Sequence, residues 1–394
     1  MERPVLSVGL SVCLLMVPLT RTNAEDVRRV SKSELARLVE LPDTYYDGEI
    51  REDPLNPQLY QLRGLMRNEK RQFDKAIADY NEAIRLDPKF ALAFHSRGNV
   101  KIKLGKLGEA IADYDEAIRL DPQMAMAYSC RSCAYSDKGD PQRGLADANV
   151  AIRLDPTAPG YFYNRGNALR DLGELDKALK DYDEAIRLDG GVSGRYFEAC
   201  GIVWYSKSEW GKAIAAFDEA LVRDAEQPDT LFNRGTAWLQ MNELDKAIHD
   251  LNDVLLLTPH HEGARVNRSV VWNRKGEFDK AAADLKEAIR HNPKSHEAYN
   301  NLAWMRATSP DMKMCDGQAA VELAHKASEL VNWKDDSYLV TLAAAHARAG
   351  QFDDAKKRLQ QAINMAPKAD SRIRAKMMDV FKDGQPYQED PAFK

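Results

Sequence analysis

The 394-residue sequence has no surplus of positive charge, few cysteines and, beyond its first twenty residues, no long apolar run. Lys and Arg total 56 against 61 Asp and Glu, a formal charge of −5, and no basic block offsets this balance. A grip on nucleic-acid phosphate or on an anionic membrane surface is therefore poorly supported. Five cysteines in a chain of this length cannot form a disulfide scaffold. Motifs that carry chemistry are missing too: there is no Gly-rich phosphate loop, no helical zinc pair with a catalytic glutamate and no nucleophile elbow. No catalysis, cofactor, metal or small-molecule substrate is expected. What is present is an ordinary soluble composition, 44% hydrophobic and 30% charged, which argues against collagen, a polytopic membrane protein and wholesale disorder.

Residues 4–20 carry no charge and are dominated by Val, Leu, Cys and Met, after Arg3 and before the small residues Thr22 and Ala24. This resembles a secretory signal peptide cleaved near Ala24, so the mature chain is expected to be exported, periplasmic or secreted. The alternative is that residues 4–20 remain as a membrane anchor. Glu2 fits neither reading well, and Val12 is too large for a lipidation site at Cys13.

Length alone suggests two or three globular domains, but the string Ala-Ile-Arg-Leu-Asp-Pro begins at Ala83, Ala117 and Ala151, and all but its proline recurs from Ala185. The period is 34 residues. Units laid out on it start near Pro57, Ala91, Ala125, Pro159, Gly194, Pro228, Glu262, His296 and Asp336. Small residues recur at the eighth position (Gly64, Gly98, Gly166, Gly235), at the twentieth (Ala76, Ala110, Ala178, Ala247) and at the twenty-seventh, with large apolar residues at helical spacing between them. Two helices need small residues where their axes approach and large ones where gaps must be filled. Gly105, Gly139, Gly173, Gly276 and Gly350 mark a turn between helices, and Pro88, Pro122, Pro156, Pro259, Pro293 and Pro367 close the second helix. Each unit reads as a helical hairpin.

The pattern resembles the tetratricopeptide repeat over Pro57 to Pro367, and with the leader it suggests a bacterial exported type. The resemblance implies an all-α, right-handed superhelical solenoid of nine hairpins with the first helices on the concave side. It divides the chain into a signal peptide (1–24), an N-terminal capping helix and linker (25–56), the repeats (57–367) and a C-terminal capping helix with a tail (368–394). It also implies a non-catalytic scaffold that binds a protein or peptide in its groove; a membrane-tethered or oligomeric spacer in an envelope complex is the alternative. The family's groove positions fall here on His95, Asn99, Tyr163, Asn167, Arg170, Glu198, Tyr205, Phe232, Thr236, Leu239, Asn300 and Trp304. The mixture is nearly neutral and lacks the Lys and Asn pairing of a carboxylate clamp.

The seventh position departs from the family, which places an apolar residue there. Six units carry Arg63, Arg97, Arg131, Arg165, Arg234 and Arg268, and the same six carry Asp79, Asp113, Asp147, Asp181, Asp250 and Asp284 at the twenty-third. Both positions lie equally far from the turn, at similar height on antiparallel helices. A guanidinium in a largely desolvated slot needs a carboxylate, so a buried Arg–Asp ladder is expected. The fifth, eighth and ninth units lack it.

Terminal repeats need covers. Ser371 to Phe381 reads as one, with Ile373, Met377, Val380 and Phe381 on a common side. Ser31 with Glu34 reads as a capping box opening a short helix, followed by an irregular linker over 42–56. Thr308 to Gln318 lengthens the eighth turn, and Met314 and Cys315 are expected on a protruding loop. Cys130 and Cys133 have redox spacing but fall inside a helix, and His260-His261-Glu262 lacks further spaced ligands for a metal.

Overall fold

A computed structural model describes residues 42, 44–367, 369 and 371–388. The expected signal segment 1–24 and the helix opened by Ser31 lie outside them. Among the described residues all regular structure is helical, and no helix is long and apolar enough to cross a membrane. A short α1 (Tyr45–Glu52) precedes nine pairs: α2 (Pro57–Glu69) and α3 (Phe73–Leu86), α4 (Ala91–Lys103) and α5 (Leu107–Leu120), α6 (Ala125–Asp137) and α7 (Pro141–Leu154), α8 (Pro159–Asp171) and α9 (Leu175–Asp189), α10 (Gly194–Ser206) and α11 (Trp210–Arg223), α12 (Pro228–Gln240) and α13 (Leu244–Leu257), α14 (Glu262–Arg274) and α15 (Phe278–His291), α16 (His296–Thr308) and α17 (Gly317–Leu330), α18 (Asp336–Arg348) and α19 (Phe352–Met365). The last helix is α20 (Ser371–Lys382). The nine first helices start at the unit boundaries read from the period. The chain divides into two compact units, Met1–Lys207 and Ser208–Lys394. The first holds α1 to α10 and the second α11 to α20.

The periodic residues explain the pairing. Ala76, Ala110, Ala178, Ala247, Ala83, Ala117 and Ala185 are fully buried where the helices of a pair meet. The eighth position must be small because an aromatic ring from the second helix lies on it. A Cβ on Gly64, Gly98 or Gly166 would come within 2.5–2.7 Å of Tyr80, Tyr114 or Tyr182. Each of those rings is at most 1% exposed, and burying one is worth about 2–3 kcal/mol. Between the helices the fifteenth position takes a left-handed conformation. Gly105 has φ 72°, but Arg71, Ser208 and Asn242 hold φ 59° there with a side chain.

Three local expectations are corrected. The stretch read as an irregular linker contains α1, because Pro42 and Pro54 flank it and Tyr46 and Ile50, one turn apart, bury against Met66. The eighth turn does not protrude as a whole. Met314 is 8% exposed and joins Val266, Leu285, Leu302 and Met305, while its carbonyl accepts from Arg306 at 3.2 Å. In α20, Met377 and Phe381 are buried but Ile373 is exposed. Arg374 takes the inward place, pairing with Asp336 and donating to the carbonyls of Ala362 and Ala366 at 3.0 Å. Those carbonyls lie at the C-terminal end of α19, where they also accept from Ala366 N and Ala369 N, and the helix dipole favours a cation there.

Candidate functional site

The Arg and Asp residues of the seventh and twenty-third positions are in contact in all six repeats that carry them. The closest N–O separations are 2.7 Å for Arg63–Asp79, 2.6 Å for Arg97–Asp113, 2.7 Å for Arg131–Asp147, 2.7 Å for Arg165–Asp181, 2.7 Å for Arg234–Asp250 and 2.6 Å for Arg268–Asp284. Every aspartate is buried and every arginine half-buried. Nε and Nη2 face the two carboxylate oxygens, the bidentate geometry that makes such pairs strong.

The remaining nitrogen, Nη1, points to the preceding repeat. Arg97 donates to Asn81 at 2.6 Å, Arg131 to Asp115 at 2.6 Å, Arg165 to Asn149 at 3.1 Å, Arg234 to Asp218 at 2.7 Å and Arg268 to Asn252 at 2.6 Å. All five acceptors stand at the twenty-fifth position, so each guanidinium ties two successive repeats. Burial works against the charge of Arg131, but Asp147 and Asp115 outweigh it and raise its pKa. In the first four repeats the guanidinium also lies 5.4–5.6 Å from the ring of Tyr60, Phe94, Tyr128 or Phe162. Each guanidinium of the ladder is thus paired with a carboxylate of its own repeat.

The opposite face of the first helices is polar and specifically oriented. In the first unit Tyr114 Oη donates to Asn99 Oδ1 and Tyr182 Oη to Asn167 Oδ1, both at 2.8 Å. Each carboxamide is thereby fixed with its oxygen engaged and its NH2 group as donor. Asn99 Nδ2 reaches only a weak 3.5 Å contact with His95, and that of Asn167 has no partner among the described residues. One turn on, Arg170 donates to Asp171 at 3.0 Å. Burial and the charge of Asp171 push the carboxyl of Asp137 up, and burial lowers the pKa of Lys103, whose Nζ donates to Asn68 at 3.0 Å. Glu69, Lys103, Asp137 and Asp171 all stand at the thirteenth position, a mixed-charge row that the sequence shows at the same period but that was not among the expected groove residues.

The other expected groove residues divide. His95, Tyr163 and Leu239 are buried at 1%, 7% and 4% exposure, which corrects their assignment as groove-facing contacts. His95 packs on Tyr114, and Tyr163 lies between Tyr182 and Tyr196. Tyr163 thus meets the next first helix through Tyr196, and His95 meets the second helix of its own repeat through Tyr114, instead of facing outward. Burial lowers the His95 pKa to about 4. Glu198 and Tyr205 are half-buried. In the second unit Phe232 is half-buried against His261, at 4.9 Å between rings. Thr236 is saturated, donating to Phe232 O and accepting from Asn267. Asn300 keeps a buried Oδ1 with no hydrogen-bond partner among the described residues, and Trp304 is covered by Tyr387, with ring centroids 6.1 Å apart. His261 Nδ1 accepts from Ala264 N at 3.0 Å, capping α14, and Glu262 accepts from Asn292.

Models of the tetratricopeptide repeat match residues 64–105, 98–139 and 160–191, and 205–262 and 274–313, together just over half of the sequence. The chain is a tetratricopeptide repeat protein. No curated protein matches it in sequence. Its structure is similar to the Cut9–Hcn1 hetero-tetramer of the APC/C, with a TM-score of 0.56 and 21% identity over 67% of this chain and 52% of that one, so it spans about half of that relative. A tetratricopeptide repeat protein from Parabacteroides merdae matches with a TM-score of 0.48 and 17% identity over 66% of this chain and 99% of that one. Tetratricopeptide repeat proteins are in general scaffolds for protein–protein interaction, and the fold is typically non-catalytic.

Proposed function

We propose that this chain is a non-catalytic scaffold that holds an extended polypeptide against the first-helix face of its repeats, with Asn99 and Asn167 as hydrogen-bond donors to the ligand backbone. The reading rests chiefly on the two Tyr–Asn hydrogen bonds, which orient the carboxamides before any ligand arrives and so reduce the ordering cost of binding. The row of Lys103, Asp137, Arg170 and Asp171 alongside suits a ligand of mixed charge and gives no preference for nucleic acid. The leader-like residues 4–20 support export, with the protein acting outside the cytoplasm or tethered by an uncleaved segment.

The test uses Asn99→Asp and Asn167→Asp together. These keep the acceptor for each tyrosine hydroxyl and remove the NH2 donors. Polypeptides co-purifying with the wild-type chain are expected to be lost from the double variant, and unchanged recovery overturns the assignment.

A second reading, a spacer built into a larger assembly, is favoured by one observation. Val222 and Leu256 are 82% and 80% exposed at the twenty-ninth position of successive repeats, where Arg85, Arg119, Arg153, Arg187 and Arg290 stand in others. Isolated exposed apolar side chains are ordinary, but two at one repeated site suit a protein contact. Val222→Arg with Leu256→Arg is expected to abolish self-association in sedimentation if that reading holds.

A further inference from the structure

The segment after α20 turns back onto the repeats. Gly384, at φ 65°, ends the helix with hydrogen bonds from Gly384 N to Phe381 O and from Gln385 N to Val380 O. Tyr387 then reaches the first-helix face of the eighth and ninth repeats. It is 8% exposed, stands against Trp304 and belongs to the buried cluster that contains Ala307, Ala344 and Ala347. Trp304 and Ala344 are the ninth residues of their repeats, and Ala307 and Ala347 the twelfth. In the first unit the same two positions hold Asn99, Asn167, Arg170 and Tyr205. Three alanines at these positions leave room that an aromatic ring fills. The carbonyl of Tyr387 accepts from Arg348 at 3.5 Å, and Gln388 Nε2 donates to Pro310 O at 3.3 Å. Arg348 is itself held by the Ala307 carbonyl at 2.6 Å.

We propose that residues 383–388 are an internal ligand. They occupy a partner-binding surface on the eighth and ninth repeats, and a partner polypeptide that presents an aromatic side chain in an extended stretch displaces them. The proposal rests on the polypeptide-binding reading given above and extends it to a second, gated site. The segment is not needed to close the stack, because α20 already covers the ninth repeat through Met377, Phe381 and Arg374. The Tyr387 ring lies between Trp304 and the Lys376 ammonium, and the hydrogen bonds to Arg348 and Pro310 are long, so a ligand with the same ring and more polar contacts competes with it.

A fluorescent peptide with the sequence of residues 383–388 tests this with the full chain. Tyr387→Ala is expected to bind it saturably and at least tenfold more tightly than the wild type, and adding Trp304→Ala is expected to abolish that binding. Tyr387→Phe, which keeps the ring, is expected to block the peptide as the wild type does. In the wild type, excess peptide is expected to speed exchange of the Tyr387 amide, a readout that needs no variant. Equal binding to wild type and Tyr387→Ala, or no saturable binding to Tyr387→Ala at millimolar peptide, overturns the proposal. Asn99→Asp with Asn167→Asp is expected to leave this exchange unchanged, so its failure alongside intact Asn-dependent capture removes the gated site alone.

Discussion

Asp47 stands sixteen residues before Arg63 and accepts from its Nη1 at 2.6 Å, the same spacing and the same nitrogen with which Arg131 reaches Asp115. Helix α1 is not a repeat, yet it supplies the contact that a preceding repeat would make. Its Tyr46 and Ile50 cover the outer face of the first hairpin, and Asp47 completes the ladder. The N-terminal cover therefore copies both the apolar and the polar half of an inter-repeat junction.

This sets the expected hierarchy of substitutions at the rungs. Asp147→Ala leaves the Arg131 guanidinium half-buried without its main partner, and a loss of about 3–5 kcal/mol is expected in chemical denaturation. Asp47→Asn is expected to change stability by less than about 0.5 kcal/mol, since Asn81, Asn149 and Asn252 accept the same hydrogen bond elsewhere. Asp47→Ala removes the acceptor and is expected to cost about 1 kcal/mol. Equal effects of the three would contradict the ladder as an energetic unit.

The rung between the fourth and fifth repeats is missing. Asp183 occupies the twenty-fifth position, but Cys200 stands where the arginine would be. Burial raises the Asp183 pKa, and burial with the nearby Asp183 charge pushes the Cys200 thiol up to about 12. Asp183→Ala is expected to be neutral within about 0.5 kcal/mol or slightly stabilising. Asp115→Ala and Asp218→Ala, whose arginines are present, are expected to cost about 0.5–1 kcal/mol each. Comparing urea midpoints of the three variants decides the matter.

The turns give an independent check on backbone strain. Arg71 and Ser208 hold φ 59° where other repeats use glycine. Arg71→Gly and Ser208→Gly are expected to stabilise by about 0.5–1 kcal/mol each, since a non-glycine residue pays for the left-handed conformation. Destabilisation in thermal melts would show that side-chain contacts outweigh it.

Much of this arrangement was legible in the sequence because its causes repeat. A glycine under a tyrosine recurs in three repeats, an arginine opposite an aspartate in six and an alanine between helix axes in most, so weak signals add along the 34-residue period. The twenty-fifth-position acceptors were equally periodic, but an alternation of Asn and Asp looks like a solvated helix face until the direction of Nη1 is known. Features that occur once were not legible. Tyr387 reaches Trp304 across 83 residues of sequence, and no local pattern announces that contact. The burial of His95 and Tyr163 depends on rings from other helices, Tyr114 for His95 and Tyr182 with Tyr196 for Tyr163, which the pattern within one helix does not show.

His95 supplies a pH dependence. Its folded pKa of about 4 lies below the ordinary histidine value of 6.5, because burial disfavours the charged form. The unfolded chain therefore binds the proton first, and stability present above pH 6.5 is lost progressively as pH falls towards 4. The loss at completion is up to about 3 kcal/mol. His95→Gln is expected to flatten the denaturation midpoint over this window. An unchanged slope between pH 6.5 and 4 would show that His95 is protonated at little cost.

The most direct test of polypeptide binding is site-specific photo-cross-linking with p-benzoylphenylalanine in the full chain, placed at the exposed Asp171, one turn on from Asn167, or at Glu184 on the second helix of the same repeat. The account predicts covalent polypeptide adducts from position 171 and none from position 184. Adducts of equal yield from both, or from position 184 alone, would contradict it.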